Sequence, residues 1–232
     1  MGTRASGLCR KGLSAVPRVV REYGGILVAF GLLALLGLVL PRPFIMEVLI
    51  FGIYVMAFSF LAGHLGLVSF GQPAYLGLGA YGAAMYLYYY GTNPYAGILA
   101  GIVAGAVVSA IIGAFLVKLA GDYFALANLA FCAIAFFVFQ KALVGVTRGD
   151  TGLWYLAKML PTPVLNLKNP DHFFGFVFAV AIAVWVLFRY IEKSVYGAVC
   201  IATKINERKV QFLGYRPFYI KWLGFVIANT VA

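Results

Sequence analysis

The residues able to do chemistry in this 232-residue sequence are few and scattered. Two histidines, His64 and His172, stand far apart without an acidic partner at ligand spacing, so no metal centre is expected. Cys9, Cys132 and Cys200 are odd in number and form no C-x-x-C pair, which makes them unpaired thiols. The chain has no G-x-x-x-x-G-K-[ST] sequence to cradle a nucleotide phosphate. With no nucleophile beside a base and no acid/base pair, the expectation is no catalytic residue and no cofactor. The remaining polar groups suit binding better than reaction. Ser69 and Gln72 fall in GHLGLVSFGQPAYLGLGAYGA at 63–83, and Asn128 and Gln140 interrupt a later apolar run. Glu47 is the one carboxylate placed to enter a span, close to Pro43 and interfacial water.

The elements that would carry these groups belong to a membrane. Hydrophobic residues make up 63% of the chain and charged residues 11%, against roughly 25% charged in soluble domains. That apolar surface cannot be hidden in a soluble core of this size, whereas a bilayer accepts about 20 apolar residues per helix. The expected fold is an all-α polytopic membrane protein. Six complete spans are read at 24–40, 44–62, 73–90, 95–117, 123–146 and 173–191. The first run has an Arg-rich front, as a signal or transit segment would, but no small-residue cleavage site follows it and another span begins at once.

Charge sets the orientation. Eighteen basic and seven acidic residues leave +11, concentrated in residues 1–22 and 189–221. By the positive-inside rule both segments are cytoplasmic, and six spans between them place 13 of the 18 basic residues inside. The domain reading is therefore a basic cytoplasmic tail at 1–23, a transmembrane region at 24–191, a cytoplasmic segment at 192–221, and at 222–232 the beginning of an incomplete seventh span.

Three patterns stand out. Gly97, Gly101, Gly105, Ser109 and Gly113 recur every fourth residue, a ridge of small side chains that lets another helix approach. We assign it to helix packing. The glycines and polar residues of 63–83 predict either a cytoplasmic turn or a broken, re-entrant segment near a solute path, because irregular backbone at membrane depth needs protein or water around it. On the second reading Ser69, Phe70, Gly71, Gln72 and Asn128 line the pathway. Finally, SVYGAVCIATKINERKVQFLG at 194–214 mixes apolar and charged residues before a helix-stopping Gly214. It reads as a helix on the lipid surface or as a docking helix for a cytoplasmic partner.

GLVSFGQPAYLGLGAY at 66–81, GDYFALANLAF at 121–131, TRGDTGL at 147–153 and SVYGAVCIATKINERKVQFLGY at 194–215 resemble, in order and spacing, successive motifs of the branched-chain amino acid ABC importer permeases. The resemblance covers about 150 residues. Asn128 stands where that family usually has Thr, and Gln211 and Phe212 where its coupling segment usually reads Glu and Ala. Since family members continue through further helices, it also implies a chain truncated at its C-terminus. The resemblance implies a permease subunit in the cytoplasmic (inner) membrane that moves a small polar solute, with branched-chain amino acids foremost. Its implied partners are a second related permease, cytoplasmic ATP-binding subunits that hydrolyse the ATP, an extracytoplasmic solute-binding protein and membrane lipid. No nucleic acid is implied. It makes Asn206, Glu207, Leu213 and Gly214 the residues coupled to the ATPase. Alternatives are a permease for urea or short amides, and an ATPase-independent carrier or channel. The scarcity of buried charge speaks against a proton-driven carrier.

Overall fold

The structure is a computed structural model that describes Gly31 and residues 41–91, 93–119, 121–147 and 170–232. The chain divides into two units, Met1–Glu47 and Val48–Ala232. Apart from Gly31, the expected first span at 24–40 lies outside the described residues, as do the basic tail and the 148–169 loop.

All regular structure among the described residues is helical. Helix α1, Arg42–Phe60, widens into a π-helical turn at Leu61–Leu65 and ends at Gly66. There φ is +69°, a left-handed conformation that costs glycine nothing and other residues steric strain. After a non-helical stretch, α2 begins at Gln72 with Pro73 in its first turn, where the missing N–H is no loss, and runs to Tyr89. Pro94 starts α3 in the same way, and this helix extends to Leu116. Helix α4, Asp122–Phe137, passes through a second π-helical turn, Val138–Ala142, into the short α5, Val144–Thr147. Helix α6 spans Pro170–Lys193, α7 Val195–Ile205, α8 Glu207–Phe212 and α9 Pro217–Val231.

Four of these segments are long and apolar enough to cross a membrane: Arg42–Leu65, Pro94–Leu116, Asp122–Ala142 and His172–Lys193. Helix α2 has 18 residues, about 27 Å at 1.5 Å per residue, but its glycines and tyrosines keep it out of that group. Of the six spans read from the sequence, the one at 24–40 lies outside the described residues apart from Gly31, and among the described residues these four segments and α2, a further helix of spanning length, correspond to the other five.

The small-residue ridge occupies the buried face of α3: Gly97, Gly101, Gly105, Ser109 and Gly113 are all buried. A Cβ on Gly101 would stand 2.7 Å from the carbonyl oxygen of Gly79 on α2, and one on Gly113 would stand 2.6 Å from the Phe225 ring on α9. The amino half of α3 therefore carries α2 and its carboxyl half carries α9. On the opposite face Leu99, Val103, Val107, Ile111 and Phe115 are each more than half exposed, an apolar stripe suited to lipid tails. Trp222 of α9 donates its indole N–H to Ala110 O at 2.8 Å, pinning the two helices.

The segment expected as one coupling helix is two. Asn206 lies in extended backbone (φ −157°, ψ 100°), and its side chain accepts the Lys209 N–H at 3.1 Å, capping α8. Upstream, Ser194 caps α7, and Gly197 packs so tightly on the end of α6 that a Cβ would meet Ile191 O at 2.6 Å. Tyr196 donates to Ile220 O at 2.8 Å, tying α7 to α9. Burial pushes the Tyr196 phenol well above its usual range. It also raises the Cys200 thiol to about 11, partly offset by a hydrogen bond with Tyr196. Both are neutral at physiological pH, and Cys200 is a packing residue rather than a reactive thiol.

Candidate functional site

The non-helical stretch between α1 and α2 folds inward. Ser69 and Gln72 are buried at 2% and 0% exposure, and Ser69 meets Asn128 of α4, itself fully buried. Asn128 donates through Nδ2 to Ser69 Oγ, and its Oδ1 accepts from the Tyr75 hydroxyl at 3.3 Å. Gly71 makes the approach possible: a Cβ there would fall inside the Asn128 main-chain carbonyl and stand 2.7 Å from Oδ1. Phe70 departs from the group, being 57% exposed and turned outward.

Sequence reasoning missed Tyr75. It is buried, packs edge-on to Phe225 at 5.5 Å, and supplies the second hydrogen bond to Asn128. Its place in the first turn of α2 beside Pro73 was the available signal. Gln72 differs from its neighbours, because both its amide oxygen and its amide nitrogen are buried without a protein partner among the described residues. Such an unpaired group costs about 1–3 kcal/mol. It lies where α2 begins, next to a cavity of about 460 Å³ between α2 and α4. That cavity is bordered by Pro73, Ala74, Tyr81, Cys132, Phe139 and Gln140. Gln72 directly precedes Pro73 of this lining, but Ser69, Gln72 and Asn128 do not themselves line the cavity.

A second amide oxygen without a hydrogen-bond partner among the described residues, that of Asn229 on α9, is buried beside a smaller cavity of about 250 Å³ between α2, α3 and α9. Its Nδ2 donates to Phe225 O at 3.0 Å.

His64 sits in the first π-helical turn, stacked on Phe60 at 5.4 Å with Nε2 3.9 Å from Glu192 on α6. Glu192 also accepts from Arg189 at 3.3 Å. Lys204 of α7 donates to Gly63 O at 2.8 Å and to Ala62 O at 3.4 Å, satisfying carbonyls at the end of that turn. The α7–α8 segment is therefore held against α1. Its outer surface mixes exposed polar and charged residues, among them Arg208, Lys209 and Gln211, with three apolar ones: Ile205, Phe212 and Leu213 are 78%, 90% and 75% exposed. Glu207 is paired with Lys221 of α9, so the intramolecular partner already occupies it. Gly214, at φ +86°, turns the chain toward α9.

No group of three or more metal-ligating residues occurs among the described residues. In comparison with known families, one model matches, described as the branched-chain amino acid transport system / permease component, over residues 43–232. No curated protein and no solved structure matches the chain.

Proposed function

The chain belongs to the family of branched-chain amino acid transport permease components, and from that premise we propose that it is the permease subunit of an ABC importer. It is a multi-pass membrane transport protein, not an enzyme. In the proposed assembly it pairs with a second permease, receives solute from an extracytoplasmic binding protein and is driven by cytoplasmic ATPases. ATP hydrolysis biases the equilibrium between two accessible states through differential contacts with each.

One observation carries the choice of an ATP-driven importer over a free-standing carrier. Beyond the end of α6, the α7–α8 segment presents Ile205, Phe212 and Leu213 outward while Lys204 and Glu207 anchor it inward. A pair of short helices anchored in this way, with apolar side chains at its tip, suits a groove on a partner. For the solute path we favour the buried Ser69–Asn128–Tyr75 group with Gln72 and the adjoining cavity, whose volume fits a small molecule and whose mainly apolar walls fit a branched aliphatic side chain.

In this reading Leu213→Asp removes ATPase copurification and uptake, while Glu207→Gln, which breaks an exposed ion pair worth about 1 kcal/mol or less, reduces them slightly. Unchanged copurification of ATPases with properly inserted Leu213→Asp protein would sink the docking role. The orientation proposed has the N-terminus cytoplasmic with six spans. A cysteine at Asn166 is then labelled from outside by an impermeant maleimide and one at Asn206 is protected; the reverse pattern rejects it.

A further inference from the structure

We propose that the basic cavity between the end of α3, α8 and the start of α9 is a binding site for the phosphate headgroup of an anionic phospholipid. The cavity has a volume of about 630 Å³ and is lined by Lys118, Arg216 and Lys221 together with Glu207, Tyr215 and Phe218. Three cations face one carboxylate, and that carboxylate is spent on Lys221. Among the described residues Lys118 and Arg216 have no carboxylate partner. The site thus holds a surplus of positive charge that an anion neutralises.

Its depth selects a lipid over other anions. Lys118 lies just past Leu116, the last residue of one of the four long apolar helices, so the cavity stands at the level where hydrocarbon gives way to headgroups. Lys118 Nζ is 5.9 Å from the Phe115 ring and 5.8 Å from the Phe218 ring, which holds the cation at the apolar boundary. Phe115 is also the end of the exposed stripe that descends through Ile111, Val107, Val103 and Leu99, a track for an acyl chain attached to a headgroup in the cavity. Basic pockets between helices at this level are suited to anionic lipid headgroups.

Glu207 and Gln211, one helical turn apart on α8, line the cavity together with Gly214, whereas Ile205, Phe212 and Leu213, the apolar residues of the proposed ATPase contact, do not. The chain's own basic tail is a poor occupant, since residues 1–22 carry five basic residues against Glu22.

The test is native mass spectrometry of the detergent-purified full chain titrated with phosphatidylglycerol or with phosphatidylcholine, with and without inorganic phosphate. The expected result is preferential retention of phosphatidylglycerol, insensitive to inorganic phosphate. Lys118→Gln with Arg216→Gln should weaken it about 30-fold, each cation near an anionic surface contributing about fivefold. Arg208→Gln with Lys209→Gln, which removes two cations outside the cavity, should leave it unchanged. Equal retention of the two lipids by the unmodified chain overturns the proposal without recourse to any variant. Unchanged retention in the Lys118 and Arg216 variant, or an equal loss in the Arg208 and Lys209 control, overturns it too. Displacement by inorganic phosphate alone would assign the cavity to a free anion and overturn the lipid.

Discussion

Gly71→Ala is expected to abolish the folded protein or to lower its thermal stability far more than any other single glycine-to-alanine change in α1 or α2. The added methyl would collide with the main-chain carbonyl of Asn128, and the nearest atoms are backbone, not the flexible end of a side chain. Overpacking by one methyl costs about 1–3 kcal/mol where side chains can yield. Here α4 or the 66–72 stretch must shift, and the Ser69–Asn128 hydrogen bond goes with it. Gly52→Ala in the middle of α1 is the control: nothing lies within 4 Å of its Cβ position, and alanine favours helix by up to about 1 kcal/mol. Fluorescence-detected size-exclusion thermal melts of both variants decide the matter. A Gly71→Ala protein melting with the Gly52→Ala control would show that the close approach has no energetic weight.

The second large effect has two signs. Asn128→Leu deprives Ser69 and the Tyr75 hydroxyl of their partner in a fully buried site, so it should destabilise by several kcal/mol, about 1–3 kcal/mol for each unpaired group. Gln72→Leu removes an amide that no protein group satisfies and fills nearly the same volume with apolar atoms. It should leave stability unchanged or raise it by about 1–2 kcal/mol. Uptake in the assembled transporter should nevertheless fall with Gln72→Leu, since under the proposed path its amide serves solute or water rather than the fold. A destabilised Gln72→Leu protein would mean that the amide has a structural partner. A stable variant with normal uptake would remove Gln72 from the path.

What could be read from the residues beforehand divides by range. The α3 ridge was legible because its signal is local: five small residues at a four-residue period can only lie on one face. The break before α2 was legible for a similar reason, since glycines and Pro73 announce it. The burial of Ser69 against Asn128 was not, because the pair is separated by 59 positions and only the packing of α2 on α4 joins them. Nor was the split at Asn206. Its role as a cap depends on an extended backbone that apolar periodicity, continuous through 194–214, does not reveal. Glu207 was legible as an exposed charge but not as one already paired, since Lys221 lies on another helix. Helix α2 was read from the sequence as the span at 73–90 although its glycines, which serve close packing on α3, lower its apolar signal.

The bond from Lys204 to the π-helical turn has a mechanical meaning. A Cβ on Gly66 would stand 2.9 Å from Lys204 Cγ, so the lysine stem lies flat against the backbone where α1 ends. Its ammonium grips Gly63 O and Ala62 O immediately upstream. Under the proposed coupling, a push on α7, which is also tied to α6 and α9, reaches α1 at this joint, at the root of the short stretch of chain that leads to Ser69 and Gln72. The lever arm there would be one lysine side chain, and that displacement would not have to travel along the length of a spanning helix.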